Sequence, residues 1–110
     1  MFTAEEYLAV IESDVLMAIK EVEENLLAKK VDNAIEFFRD CLIENENALK
    51  KVDSKILFFQ FRLKSRAKLI KKIISSIQEL LRVYVFEKCS PEELVYRFRA
   101  IRKLGLKIAK

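Results

Sequence analysis

The chain has 110 residues, of which 52% are hydrophobic and 35% charged, and its formal net charge is +4. A single domain typically takes about 100 to 200 residues, so we expect one helical domain over residues 1–110. The sequence has one glycine and one proline, which favours helices and leaves too few glycines for a phosphate-binding loop. It has no histidine and no tryptophan, and the absence of histidine excludes histidine-based catalysis and the common zinc sites.

The first predicted helix begins at the N-terminal end of the chain. Thr3 and Glu6 have the spacing of a capping box, which places the start of helix 1 there. Apolar residues then recur at three- and four-residue steps, which predicts one buried stripe. This stripe consists of Leu8, Ile11, Val15, Ala18 or Ile19, Val22 and Leu26.

The second helix follows a turn that we predict near residue 31. Lys29 and Lys30 suit the end of a helix, and good N-cap residues follow them. Helix 2 is predicted from about Asn33 to Lys50, and the polar run at 44–47 weakens its last turns.

The third helix is predicted to be long. Asp53 or Ser54 is a suitable cap, and no glycine, proline or polar break follows until 89–91. A helix over residues 54–87 would be about 50 Å long at ~1.5 Å per residue, which exceeds the need of a compact bundle. We therefore expect part of it to project or to contact another chain.

The fourth helix has clear signals at both ends. Ser90 is a suitable N-cap before Pro91, and Gly105 suits a left-handed terminator after Leu104. The tail 106–110 either docks back on the bundle or joins a partner. The predicted fold class is therefore all-α, a four-helix bundle with one long third helix.

The cysteines and the hydropathy pattern indicate the cellular compartment in which we expect the protein. Cys41 and Cys89 lack the spacing of a metal or redox motif, so we expect buried free thiols. The first ten residues hold two glutamates and no basic residue, unlike a secretory signal. No apolar run approaches the roughly 18 to 20 residues that span a membrane. We expect a cytoplasmic protein with no membrane partner.

Charge is distributed very unevenly along the chain. Residues 1–49 contain twelve acids and four bases, whereas residues 50–110 contain seventeen bases and five acids. Two interpretations are open, and both can hold at once. The halves pack together and offset their charges, or the basic half faces an anionic partner such as nucleic acid or an acidic protein surface.

The densest run of positive charge lies in the third predicted helix. Six bases occur within eleven residues without an acid: Arg62, Lys64, Arg66, Lys68, Lys71 and Lys72. Such clusters bind phosphate backbones through counterion release, although a solvated helix face gives the same pattern. The predicted contacts to nucleic acid or another anionic partner are Arg62, Lys64, Lys68, Lys71, Lys72, Arg82, Arg99, Arg102 and Lys103.

Two further patterns concern contact with nucleobases. Phe58, Phe59 and Phe61 lie beside the basic run and are able to stack on nucleobases. Phenylalanine at helical spacing is usually a core residue, however, and we expect these three to be buried in the core. The last helix begins with Pro91 and two glutamates, which would repel phosphates, so sequence-specific binding in the major groove is disfavoured.

A wide apolar arc on the third predicted helix is expected to hold a partner subunit. Phe59, Ile70 and Ile77 share this arc, which is broader than a minimal bundle buries. Arg66 falls within or beside the arc. It either snorkels or pairs with acids of the first two helices, or it forms an interface ion pair that sets register.

The order of these helices resembles a known family. An acidic first helix, the run Glu-Phe-Phe-Arg at 36–39 and a basic, apolar helix through 66–82 are similar to the helical domain of archaeal GINS subunits. The resemblance covers roughly residues 33–104. GINS proteins are non-catalytic helical scaffolds that assemble as tetramers and join the replicative helicase to its partner factors. The family usually adds a small β-rich domain, for which this chain has no sequence.

We therefore expect a non-enzymatic helical assembly module of a GINS-like DNA replication complex. Its apolar faces would bind protein subunits, in a homo- or hetero-oligomer, and its basic helix an anionic surface. The alternatives are a stand-alone nucleic-acid-binding protein of viral or plasmid origin, or a small subunit of a ribonucleoprotein complex. We expect no enzymatic activity, because the acids lie on polar helix faces where nothing separates their pKa values. We also expect no cofactor, no metal and no small-molecule substrate.

Overall fold

A computed structural model describes residues 3–108, and this part of the chain contains four α-helices and no strand. The helices are α1 Ala4–Leu27, α2 Val31–Lys55, α3 Phe61–Phe86 and α4 Pro91–Ile108. Their short connections make successive helices antiparallel, and all four contribute to one apolar core. The prediction of an all-α four-helix bundle is confirmed. No helix within residues 3–108 has a stretch long and apolar enough to cross a membrane.

The start of α1 and its apolar stripe are as predicted. The backbone N–H of Glu6 donates to Thr3 Oγ1 at 3.2 Å, and the Glu6 carboxylate accepts from the Thr3 N–H at 3.2 Å. This reciprocal pair satisfies two donors that a helix start otherwise leaves unbonded. Every residue of the predicted stripe is buried except Leu26, which is half-buried.

The turn between α1 and α2 forms without glycine. Lys29 takes the left-handed conformation, with φ of 60°. The N–H of Lys30 donates to the Asn25 carbonyl at 2.7 Å, and the N–H of Lys29 donates to the Leu26 carbonyl at 3.1 Å. These bonds satisfy carbonyls at the helix end. The turn predicted near residue 31 is therefore confirmed.

The boundary between α2 and α3 differs from the prediction. The helix α2 continues through the polar run and ends at Lys55, five residues later than expected. The Ser54 hydroxyl donates to the Lys51 carbonyl at 2.7 Å, so it bonds within α2 instead of capping α3. A turn then follows, in which the Leu57 N–H donates to the Gln60 side-chain oxygen at 2.9 Å. This turn takes residues 56–60 out of the predicted third helix.

The third helix is therefore not distinctly long. It has 26 residues, against 25 in α2 and 24 in α1. At ~1.5 Å per residue it measures about 39 Å, which fits within the 44 Å length of the bundle. The prediction that part of it projects is wrong for the described residues.

The fourth helix passes through Gly105 and continues to Ile108, the last residue that the structure describes, so the predicted terminator is wrong. The φ angle of Gly105 is not positive, and the residue is buried against α1. A Cβ at this position would lie 2.8 Å from Ile19 Cδ1 and 3.8 Å from Leu16 Cδ2. The glycine therefore permits a close approach of α4 to α1. Of the predicted tail, Leu106 to Ile108 continue the helix, and residues 109–110 lie outside the described residues.

The core is built from large apolar side chains of all four helices. Phe38 of α2 and Phe98 of α4 meet across its centre, with ring centroids 6.1 Å apart. Ile70 and Ile77 of α3 are completely buried. The one buried polar side chain within residues 3–108 is Asn45, whose Nδ2 donates to the Cys41 carbonyl at 2.9 Å. This bond satisfies the amide donor inside the apolar interior.

Candidate nucleic-acid interface

The fold turns the charge asymmetry of the sequence into two layers of opposite charge. The layer of α1 and α2 contains thirteen acids and five bases, a formal charge of −8. The layer of α3 and α4 contains twelve bases and three acids, a formal charge of +9. Because each layer has one side packed on the other and one side in solvent, the molecule presents an acidic and a basic surface.

Arg66 is the main ionic link between the layers. Its guanidinium donates to both carboxylate oxygens of Glu12, at 2.5 and 3.1 Å, and lies 3.6 Å from Glu5. These hydrogen bonds raise the pKa of Arg66, and Glu12 is mostly buried. Of the two roles left open for Arg66, the structure shows pairing with acids of the first helix.

Two other predicted contact residues also pair across the layers. Lys71 forms an ion pair with Asp53 of α2, and Arg102 lies 3.0 Å from Glu23 of α1. Both pairs are partly exposed, where an ion pair contributes little to stability. Internal compensation of charge therefore occurs, but it uses only a few residues.

Arg82 pairs within its own layer. It donates to Glu79 at 2.6 and 3.1 Å and to Glu87 at 3.3 Å. The bond to Glu79 raises the pKa of Arg82 and lowers the pKa of the Glu79 carboxyl. This predicted contact residue is thus already held by two acids, which weakens its attraction for an external anion.

Seven bases of α3 and α4 form no ion pair among the described residues: Arg62, Lys64, Lys68, Lys72, Arg99, Lys103 and Lys107. All seven are exposed. Six of them were predicted as contacts to an anionic partner; Lys107 was not. The structure therefore leaves a group of cations in the α3–α4 layer without an ion-pair partner among the described residues.

Three of these lysines form a row, which we call the lysine row. Lys64, Lys68 and Lys72 follow one another at four-residue intervals on α3, on the side opposite its buried residues. Residues four apart are neighbours on a helix, so successive lysines of the row are about 6 Å apart along the axis. Like charges at this spacing repel one another by about 0.2–0.5 kcal/mol per pair. The row therefore does not stabilise the helix.

A groove between α3 and α4 extends the basic surface. It is lined by Lys72, Ser75, Ser76, Glu79, Tyr96, Arg97 and Ala100. Tyr96 is 75% exposed, and Lys103 lies about two helical turns further along the same face of α4. The Nε of Arg97 is buried and, among the described residues, donates to no acceptor. Sequence reasoning did not single out Tyr96, because nothing in its spacing distinguishes a groove residue from an exposed one.

The phenylalanines beside the basic run are not core residues. Phe58, Phe59 and Phe61 are 78%, 58% and 75% exposed. The prediction of burial is wrong because it assumed a helix through 54–87, whereas Phe58 and Phe59 lie in the turn at 56–60. Phe61 begins α3, where no other helix covers it. Phe59 and Phe61 line one groove with Arg62 at this end of the bundle.

The residues predicted to hold a partner subunit lie in three different environments. Phe59 is exposed in the turn, and Arg66 is paired with α1. Ile70 and Ile77 are enclosed by the chain's own helices, because the other three helices cover the wide arc of α3. The structure therefore does not bring these four residues together on one surface.

The cysteines offer no reactive site. Cys41 is buried, and burial raises the pKa of its thiol to about 11. Cys89 is half-buried, and burial also raises the pKa of its thiol. Both thiols are therefore protonated near neutral pH, and a protonated thiol is a poor nucleophile. Within residues 3–108, no three cysteine or carboxylate side chains are grouped as metal ligands.

Comparison of the chain with protein-family models, with curated proteins and with solved structures finds no match. The class that the geometry defines is an all-α four-helix bundle with an acidic layer and a basic layer. The resemblance to GINS subunits is not tested by these comparisons and stays a prediction.

Proposed function

We propose that this protein is a non-enzymatic nucleic-acid-binding module whose α3–α4 surface contacts the phosphate backbone. The observation that supports this most strongly is the lysine row of Lys64, Lys68 and Lys72, which is exposed and forms no ion pair among the described residues. Nucleic acid is a polyanion with regularly spaced phosphates, so one strand is able to contact several lysines of the row at once. Each phosphate that a lysine neutralises releases condensed counterions, which favours binding.

The surroundings of the row favour a backbone ligand over a single small anion. The uncompensated cations extend from Arg62 at the start of α3 to Arg99 and Lys103 on α4. A small anion would contact one or two of them, whereas a chain of phosphates contacts several at once. The cations are flexible lysines for the most part, which bind phosphates as point charges without reading sequence.

Removing the row should weaken oligonucleotide binding and its dependence on salt. We expect a variant with Lys64→Gln, Lys68→Gln and Lys72→Gln to lower the magnitude of the log–log salt slope by about 2, since each phosphate contact to a single strand contributes about 0.7. Fluorescence anisotropy of a labelled oligonucleotide between about 50 and 200 mM salt measures this slope. The variant should fold, because the row lacks stabilising contacts.

The matched control removes the same charge from the other layer. Lys20, Lys50 and Lys51 are exposed on α1 and α2, and their joint replacement by glutamine also lowers the net charge by three. We expect this control to retain most of the affinity and the slope. Equal losses in the two variants would show that only net charge matters, and absence of binding by the unmodified protein would refute the proposal.

A second candidate is the assembly role that the GINS resemblance implies. One observation favours it. Val10 and Met17 are exposed on α1, and Met17 lines a groove with Phe37 of α2. Val10 is 57% exposed, Met17 is 61% exposed and Phe37 is 39% exposed. They would face a partner subunit, while the basic layer on the opposite side faces an anionic surface.

The solution mass of the protein tests this candidate. If the chain assembles with itself through this face, sedimentation equilibrium should show a dimer or larger species, and Met17→Glu should shift it to monomer by placing a charge in the contact. A monomer at all accessible concentrations would rule out self-assembly. The control Ile43→Glu changes an equally exposed apolar residue of α2 that does not line this groove.

A further inference from the structure

We infer that the nucleic acid bound by the lysine row is single-stranded, with unpaired bases stacked on the exposed phenylalanines at the start of α3. The inference rests on the proposed function and adds the class of ligand. It comes from the placement of Phe58, Phe59 and Phe61, which the row does not explain by itself.

Phe61 lies in line with the lysine row. At ~100° per residue, Phe61, Lys64, Lys68 and Lys72 fall within an arc of about 80° on α3. This arc is the solvent side, since the buried residues of α3 lie opposite to it. Phe61 and Lys72 are about 17 Å apart along the axis at ~1.5 Å per residue. An exposed aromatic ring thus stands at one end of a track of cations.

The turn at 56–60 holds aromatic rings in solvent. The Gln60 N–H donates to the Leu57 carbonyl at 2.9 Å, and the Leu57 N–H donates to the Gln60 side chain at 2.9 Å. These two bonds fix the turn, and Phe58 and Phe59 project from it with their rings edge to face at 5.6 Å. The edge-to-face packing leaves ring faces uncovered. Four of the five residues at 57–61 are exposed large apolar side chains.

A second exposed aromatic residue borders the other end of the lysine row. Tyr96 of α4 lines the groove that also contains Lys72. The lysine row therefore has an exposed ring near each end. Sites that combine a track of cations with aromatic platforms bind single strands, because every base offers a face for stacking and the lysines follow the backbone.

A duplex fits this arrangement less well. Its bases are stacked on one another and present only their edges in the grooves, so rings at Phe58, Phe59 and Phe61 would meet no base face. A duplex would therefore contact the lysines alone. Single-stranded DNA or RNA contacts both the lysines and the rings, which predicts tighter binding of the single strand at equal salt.

A tryptophan at position 61 provides a direct test. The chain contains no tryptophan, so Phe61→Trp introduces the only indole fluorophore. We expect this variant to bind an oligothymidylate of about 15 nucleotides as tightly as the unmodified protein, with quenching of indole emission on binding. A duplex of the same length should bind more weakly and quench less.

A second variant measures the contribution of the ring to affinity. Phe61→Leu keeps an apolar side chain and removes the aromatic face, so we expect about a fivefold or larger loss of affinity for the oligothymidylate. The matched control is Phe86→Leu, at the opposite end of α3, where the phenylalanine is 79% exposed. The control should bind like the unmodified protein. The salt slope should remain unchanged in both variants, because neither alters a cation.

The outcomes separate this inference from the proposed function. Binding that depends on the lysine row but is equal for single strand and duplex, and unaffected by Phe61→Leu, would overturn the inference and leave the proposed function intact. Binding of neither nucleic acid would overturn both. Two further results would overturn the inference. One is tighter binding of the Phe61→Trp variant to vesicles of anionic lipid than to the oligonucleotide. The other is quenching of indole emission that arises from dimerisation of the protein, as detected by sedimentation, and not from contact with the oligonucleotide.

Discussion

Replacing Phe38 by alanine is expected to lower the free energy of unfolding by about 3–5 kcal/mol. Phe38 is fully buried in α2, and its ring meets Phe98 of α4 across the core at 6.1 Å. Truncation removes the buried ring and leaves a cavity that the surrounding helices fill only in part. The aromatic pair contributes beyond its buried area, by about 0.5–1.5 kcal/mol in other proteins. A domain of this size is typically stable by about 5–15 kcal/mol, so the loss is a large share of the total.

Chemical denaturation followed by circular dichroism measures this loss. The control Phe86→Ala truncates the same residue type at an exposed position of α3 and should change stability by no more than about 0.5 kcal/mol. Similar losses in the two variants would contradict the assignment of Phe38 to the core centre.

Replacing Ile70 by alanine is expected to cost about 2–5 kcal/mol, with an unfolding midpoint independent of protein concentration. Ile70 is completely buried among residues of the same chain. The sequence had predicted it as an interface residue, for which truncation would weaken an oligomer and make the midpoint depend on concentration. The concentration dependence therefore decides between the two roles.

The matched control for Ile70 is Val85→Ala on the same helix. Val85 is exposed, so removing its methyl groups creates no cavity and should leave stability within about 0.5 kcal/mol of the unmodified protein. An Ile70→Ala variant as stable as this control would show that the side chain is not enclosed as the structure describes.

The two charged layers bear on the proposed binding of a polyanion. An acidic and a basic surface on opposite sides of one molecule create a dipolar field, which would orient the basic surface toward an approaching polyanion. The acidic layer would repel the same polyanion, so under the proposed function we expect binding on one side only. Three bases of the α3–α4 layer pair with acids of the other layer, namely Arg66, Lys71 and Arg102, and these pairs consume only part of the positive charge.

Several features could be predicted from sequence because they depend on neighbouring residues. The capping box of Thr3 and Glu6 and the start of α4 at Pro91 are local patterns, and the structure has both. The apolar stripe of α1 was predicted because helical periodicity places residues three and four apart on one face. The uneven distribution of charge was also visible, since it needs only counting.

Other features depend on what packs against each residue. Gly105 was predicted to end α4, but a glycine that terminates a helix and a glycine that admits a neighbouring helix look alike in sequence. The structure distinguishes them, because the φ angle of Gly105 is not positive and a Cβ at this position would lie 2.8 Å from Ile19 Cδ1. The turn at 56–60 lacks glycine and proline, so no local signal marked it. It is closed by hydrogen bonds between Leu57 and Gln60, and neither residue type is diagnostic of a turn.

By itself, the amino-acid sequence determined that this chain is helical, that it has four apolar helix faces, and that positive charge is concentrated in its second half. Tertiary structure decided which of those residues are available to a partner. It enclosed Ile70 and Ile77, placed Phe61 in solvent and separated the paired Arg66 from the unpaired Lys68. The physical reason is that helical periodicity depends on residues within one turn, whereas exposure and ion pairing depend on which other helix comes to lie alongside.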